Sequence, residues 1–167
     1  MDIEDVLNNN EMRDLISCIG VGVNDYHNMS EVRYGKVIIC ADADPDGKNI
    51  SALCLGAIAH HMTFLIELGY VYVALTPLFV YSDGEYCYFP EDLDKRRKFA
   101  RIKGLGELNP EELEPCVFDE NKRQLVRITL DNWEKARDLL CTSAAKRRVM
   151  IDRKIIRMES VSFRELL

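Results

Sequence analysis

The chain has 167 residues, roughly the length of one domain, and its 47% hydrophobic and 30% charged content is enough for a buried core without any biased tract that would read as disorder. A net charge of −6 excludes a protein that holds nucleic acid through bulk charge alone. No apolar run reaches the ~18 residues needed to span a bilayer, and the acidic start MDIEDVLNNN is unlike a secretory signal.

Residues 2–17 repeat apolar positions at helical spacing (Ile3, Val6, Leu7, Met12, Leu15, Ile16), which predicts a surface helix broken around the asparagines. A glycine-rich polar loop follows. KVIICA, from Lys36, is unbroken β-branched and apolar, the pattern of a strand covered on both faces. Residues 48–68 read as a long apolar helix ended by Gly69, and YVYVALTP as the next strand. LFVYSDGEYCYF is a hairpin around Asp83-Gly84, PEDLDKRRKFA a short helix, and RIKGLGELNPEEL a strand, a tight turn at Gly104 and Gly106, and a helix start. Asn109, Pro110 and Glu112 supply a capping box for that helix. QLVRITLD is a further strand, NWEKARDLLC a further helix, and a basic tail ends the chain. Alternation of helix and strand predicts an α/β sandwich with a largely parallel sheet.

Six cysteines (18, 40, 54, 87, 116 and 141) are far apart with no C-x-x-C pair, and they read as reduced thiols of a cytosolic protein. Two basic runs stand out, KRRKFARIK at 95–103 and KRRVMIDRKIIR at 146–157, each with six cations. Taken alone, such runs are solvated faces.

The chemistry concentrates in DADPDG, where a strand runs into Asp42, Asp44, Asp46 and Gly47. The spacing matches the first half of a calcium-binding EF-hand loop, but the twelfth position is Leu53 where a glutamate is needed, and a strand precedes it where a helix should. A purely structural account, with one aspartate capping the next helix and the others solvated, explains one acid easily and three poorly. Clustered carboxylates repel unless a cation lies among them. Residues two apart in an extended segment project to one side, so Asp42 and Asp44 could grip one ion. Magnesium suits such oxygen ligands, and the carboxyl end of a parallel sheet is where α/β proteins bind ligands.

DADPDG after a hydrophobic strand resembles the Toprim motif. Its surroundings resemble the large, ATPase-bearing (gyrase B-like) subunit of type IIA DNA topoisomerases: LNNNEMRDLISCIGVGVND and VRYGKVII before the acids, then GYVYVALTPLF, RIKGLGELNPEEL and KRQLVRITLD. The likeness covers nearly the whole chain, and the pairing of DADPDG with KGLGELNP at this separation is specific. It implies a Toprim (Rossmann-like) parallel sheet flanked by helices, with residues 1–35 leading in, a core over 36–150, and a basic helical tail over 151–167. It further implies that Asp42 touches two divalent metals, that Asp44 touches one, and that Asp46 orients the loop or a bound water. Magnesium is the implied ion. Lys103 would approach the DNA backbone with Arg101 beside it, next to Gly104. Trp133 and the histidines 27, 60 and 61 are assigned no chemistry.

The chain departs from the family in two ways. The strand ending in a Glu-Gly-Asp-Ser type stretch, whose glutamate is the third acid, is missing, so the expected fold lacks its first strand. Pro45, Lys48 and Asn49 replace the small residue and histidine common in the acidic loop. A large subunit divided between two polypeptides, as in some tailed phages, explains the first departure, and a truncated chain is the alternative. The expected partners are double-stranded DNA, an ATPase-bearing fragment supplying the missing strand and glutamate, and a breakage-reunion subunit supplying the tyrosine. ATP would bind a partner chain, and the setting would be cytoplasmic, in the host if phage-encoded. The expected function is therefore one half of the cleavage and religation site of an ATP-dependent type II DNA topoisomerase, inactive alone. A Toprim nuclease or primase, or a noncatalytic scaffold, are the competing functions.

Overall fold

Asn9 splits the first predicted helix in two in this computed structural model, which describes residues 3–131 and 133. Helix α1 runs Ile3–Asn8 and α2 runs Asn10–Ile19. The Asn9 side chain accepts the Met12 N–H at 3.0 Å, so a residue poor inside a helix serves as the cap of the next one. Gly20 ends α2 with a left-handed φ of +85° and donates its N–H to Ile16.

The first sheet joins β1 (Val37–Ile39), β2 (Val71–Ala74) and β6 (Leu125–Arg127) in the order β1-β2-β6. β1 and β2 are parallel, with Val37 opposite Val71, whereas β6 runs antiparallel to β2. The crossover between the parallel pair is α3 (Pro45–His61) followed, after a break at Met62, by α4 (Thr63–Glu67). Ile58, Met62, Leu65 and Ile66 from this crossover pack with Ile19, Val21, Val71 and Ile128 into the core. Gly69 then turns the chain into β2 with φ +78°, and the Arg127 guanidinium occupies the space a Cβ there would need.

The α/β class is as expected, with two refinements. The sheet is mixed, its parallel pairing confined to β1 and β2. β1 lies at the sheet's edge and its three residues are only half-buried, so the double cover inferred from its apolar run is not reached among the described residues.

A second, antiparallel sheet has the order β4-β3-β5, built from β3 (Phe79–Tyr81), β4 (Tyr86–Cys87) and β5 (Phe99–Arg101). Its hairpin turns at Asp83-Gly84 as predicted, with Gly84 at φ +86° and its N–H on Tyr81 O at 2.9 Å. The short helix expected over PEDLDKRRKFA does not form. A 3-10 turn, Pro90–Asp92, gives way to a second turn, closed by the Arg97 N–H on Asp94 O at 3.1 Å, and then to β5. Two arginines hold that path: Arg96 pairs with Asp94 at 2.9 Å, and Arg97 pairs with Asp83 (2.6 Å) and Glu85 (2.7 Å) while its guanidinium lies 3.7 Å from the Tyr81 ring centre.

The capping box forms as expected. Asn109 accepts the Glu112 N–H and Glu112 accepts the Asn109 N–H, both at 3.0 Å, opening α5 (Pro110–Leu113). Cys18, Cys40, Cys54, Cys87 and Cys116 are free thiols. No described helix is long and apolar enough to cross a membrane. The predicted helix beyond Asn132, Cys141, the second basic run and the 151–167 tail lie outside the described residues; Trp133 is described and packs against the core.

Candidate metal and nucleic-acid site

Beyond β1 the chain passes through Cys40 and Ala41 to Asp42. The Thr76 hydroxyl, just past β2, donates to the Ala41 carbonyl at 3.0 Å and ties the ends of the two parallel strands together. Asp44 is the cap of α3: its Oδ1 accepts the Gly47 N–H at 2.7 Å, with Pro45 at the first helical position. Asp46 lies in the first turn of α3 and is exposed. The helix therefore starts earlier than its apolar run suggested, at Pro45.

Gly47 is buried, and a Cβ there would overlap the Asp42 carbonyl oxygen and come within 2.8 Å of the Asp42 nitrogen. The first turn of α3 is thus pressed against the Asp42 backbone at a distance only glycine permits. The Asp42 side chain is held from another direction. Its Oδ1 accepts the Leu105 N–H at 2.8 Å, and a Cβ on Gly104 would lie 3.1 Å from Oδ2. The fold thereby brings DADPDG onto KGLGE across 63 positions of sequence.

Gly104 and Gly106 do not act as the tight-turn glycines expected from sequence. Gly104 has an extended backbone, φ −157°, and neither residue has a positive φ. Gly104 matters through close approach to Asp42, whereas a Cβ on Gly106 would meet nothing within 4 Å. A 3-10 turn over Leu105–Glu107 shapes the loop, with the Glu107 N–H on Gly104 O and the Lys103 N–H on the Glu107 carboxylate at 3.3 Å. Arg101 and Lys103 are exposed on either side of buried Ile102, whose N–H is fixed on Leu78 O at 2.9 Å.

Among the described residues no group of three or more His, Cys, Asp or Glu side chains is arranged to hold a metal ion. The donor chemistry still fits magnesium in part. The hydrogen bonds at Asp42 and Asp44 each fall on Oδ1, and a carboxylate has about four acceptor sites, so both retain capacity for a hard cation that completes its shell with water and phosphate.

Lys48, which in sequence stands out only as a departure from the family pattern, is a local cation of the acidic loop. Desolvation lowers its pKa, while the charges of Asp44 and Glu91 act to raise it. Its position four residues after Asp44 at a helix start is the signal that sequence offers. Burial, and then the Asp42 charge, push the Cys40 thiol up.

Known proteins match the stretches of chain in which these motifs lie. The family described as DNA gyrase B subunit, carboxyl terminus, matches residues 94–152, a span that contains KGLGE. The DNA gyrase B subunit of Thermotoga maritima is 35% identical over 174 residues, an alignment that covers 95% of this chain and so includes the aspartates. That of Spiroplasma citri is 37% identical over 165 residues (91% of this chain), and that of Halalkalibacterium halodurans 36% over 149 (82%). The chain is similar to the carboxyl-terminal part of the DNA gyrase B subunit. It spans about a quarter of these gyrase B relatives, 27%, 26% and 23% of their respective lengths.

Proposed function

We propose that this chain is a subunit of an ATP-dependent type II DNA topoisomerase and supplies the Asp42–Asp44 half of its magnesium-dependent cleavage and religation site. The observation that carries the reading is the Asp42–Leu105 hydrogen bond, because it joins the acidic motif to the loop bearing Lys103. Carboxylates for a cation and a cation for phosphate then lie on adjacent segments, which is the pairing that phosphoryl transfer on DNA requires.

In this reading Asp42 and Asp44 hold magnesium, with Asp46 exposed on the first helical turn beside them. A magnesium ion held by these two carboxylates would supply charge stabilisation for cleavage of the DNA phosphodiester. Lys103, with Arg101 two residues before it, draws the DNA backbone toward the acids and offsets their repulsion of phosphate. Gly104 keeps the loop close enough to Asp42 for the two to act on one phosphate. The tyrosine nucleophile comes from a breakage-reunion subunit, and the third acid from a partner chain that also carries the ATP site. Among the described residues β1 has a neighbouring strand on one side only, and a strand donated by a partner would pair with its other edge. A large subunit naturally divided in two, of phage origin and working in the host cytoplasm, fits that arrangement.

The test is to mix the purified chain with candidate ATPase-bearing and breakage-reunion subunits and to assay supercoiled plasmid with magnesium and ATP. The proposal expects relaxation and cleavage only in the complete mixture. Cleavage by this chain alone would indicate a nuclease, and inactivity in every mixture a scaffold.

A further inference from the structure

We infer that the loop Lys103–Glu107 is a positioning element for Asp42: the Leu105 N–H fixes the carboxylate so that a divalent cation meets it already oriented. The inference rests on the magnesium reading above and extends it to a backbone group and a glycine with no metal chemistry of their own.

The loop is the stiffer partner in this contact. Ile102 at its start is buried and hydrogen-bonded to Leu78, and the capping box at Asn109 and Glu112 fixes its far end. Between these anchors the Glu107 N–H on Gly104 and the Leu108 N–H on Leu105 close the 3-10 turn. Asp42 has its own constraint, since Gly47 packs on its main chain and leaves its backbone little room to move. What remains is side-chain rotation. The Leu105 N–H at 2.8 Å on Oδ1, with Gly104 close to Oδ2, removes it. A carboxylate held by a backbone donor meets a cation without the entropy cost of freezing its rotamer, and loss of such an orienting partner typically weakens metal binding by about 10–100-fold. Gly106, two residues on, has open space around it and serves as the internal control.

The experiment uses the full isotope-labelled chain and two readouts. In ion-free protein, the Leu105 amide should exchange with solvent at least about tenfold faster in Asp42→Ala than in wild type, since one charge-assisted hydrogen bond is lost. Manganese titration, followed by free-ion paramagnetic resonance and by broadening of amides near Asp42, should show affinity lowered about tenfold in Gly104→Ala and unchanged in Gly106→Ala. Wild-type manganese affinity in Gly104→Ala, or a Leu105 amide indifferent to the Asp42 carboxylate, overturns the positioning role and leaves the magnesium reading intact. Absence of any Asp42-dependent manganese binding in wild type, alone and mixed with the ATPase-bearing partner, overturns both.

Discussion

Asp42 and Leu105 are joined by a 2.8 Å hydrogen bond from a backbone N–H to a carboxylate, across 63 positions of sequence. Each belongs to a motif legible in the sequence, and the contact makes the two motifs one site. Glycine is the condition for it behind the main chain, at Gly47, while beside the carboxylate a Cβ on Gly104 would crowd Oδ2 at 3.1 Å.

Gly47→Ala should therefore cost stability directly. The added Cβ overlaps backbone, which cannot rotate away as a side chain could, and overpacking of this kind costs about 1–3 kcal/mol. Chemical denaturation should show a lower midpoint with an unchanged slope, while Gly106→Ala stays within about 0.5 kcal/mol of wild type.

The first basic run should divide in function. Lys103→Ala is expected to weaken duplex binding by the assembled enzyme and to lower the slope of log affinity against log salt by about one. Arg97→Ala should leave that slope alone and lower the melting temperature, because its guanidinium is committed to Asp83, Glu85 and the Tyr81 ring. Fluorescence anisotropy across a salt series, together with thermal melts, separates the two.

That division marks where sequence stops being informative. The capping box at Asn109 and Glu112 and the Asp83-Gly84 turn are legible because each is a local arrangement, complete within four residues. The break at Asn9 is legible for the same reason. Arg97 is not, because its acidic partners lie at the Asp83-Gly84 turn of the preceding hairpin and only the fold brings them near. The same pairing holds the turn over 94–97 against the β3–β4 hairpin, in a stretch that is helical in composition. Of the candidate site, the proposed acids and Lys103 come from their motifs, and a helix-capping aspartate is one of the roles that DADPDG leaves open, the one Asp44 fills. Gly104's role cannot be foreseen, since a glycine needed for close approach looks in sequence like a glycine needed for a turn.

Alkaline pH should destabilise the fold through Tyr88. Burial first, and then the nearby Cys116 and Tyr86 charges, push its phenol up to about 12, so the folded state favours the neutral form. The stabilisation is fully present below the ordinary tyrosine value of ~10 and is lost as pH rises from there toward 12. Tyr88 is half-buried, so the loss is on the order of 1 kcal/mol, and solvent screening keeps it below the full value of the shift. Tyr88→Phe should show a flatter decline in stability over that window, measured by denaturant titration at several pH values.

Asn109→Ala should remove one side of the capping box and cost about 1 kcal/mol. Because α5 anchors the far end of the Lys103–Glu107 loop, amide exchange at Leu105 should rise in the same variant. Unchanged exchange there would mean the loop is held by Ile102 alone.

The most direct measurement is magnesium-dependent DNA cleavage by the assembled enzyme carrying Asp42→Ala, compared with its affinity for the same duplex. The account predicts that cleavage is abolished while binding is largely retained, since Lys103 and Arg101 remain in place on a loop anchored independently of Asp42. Cleavage at the wild-type rate would contradict it.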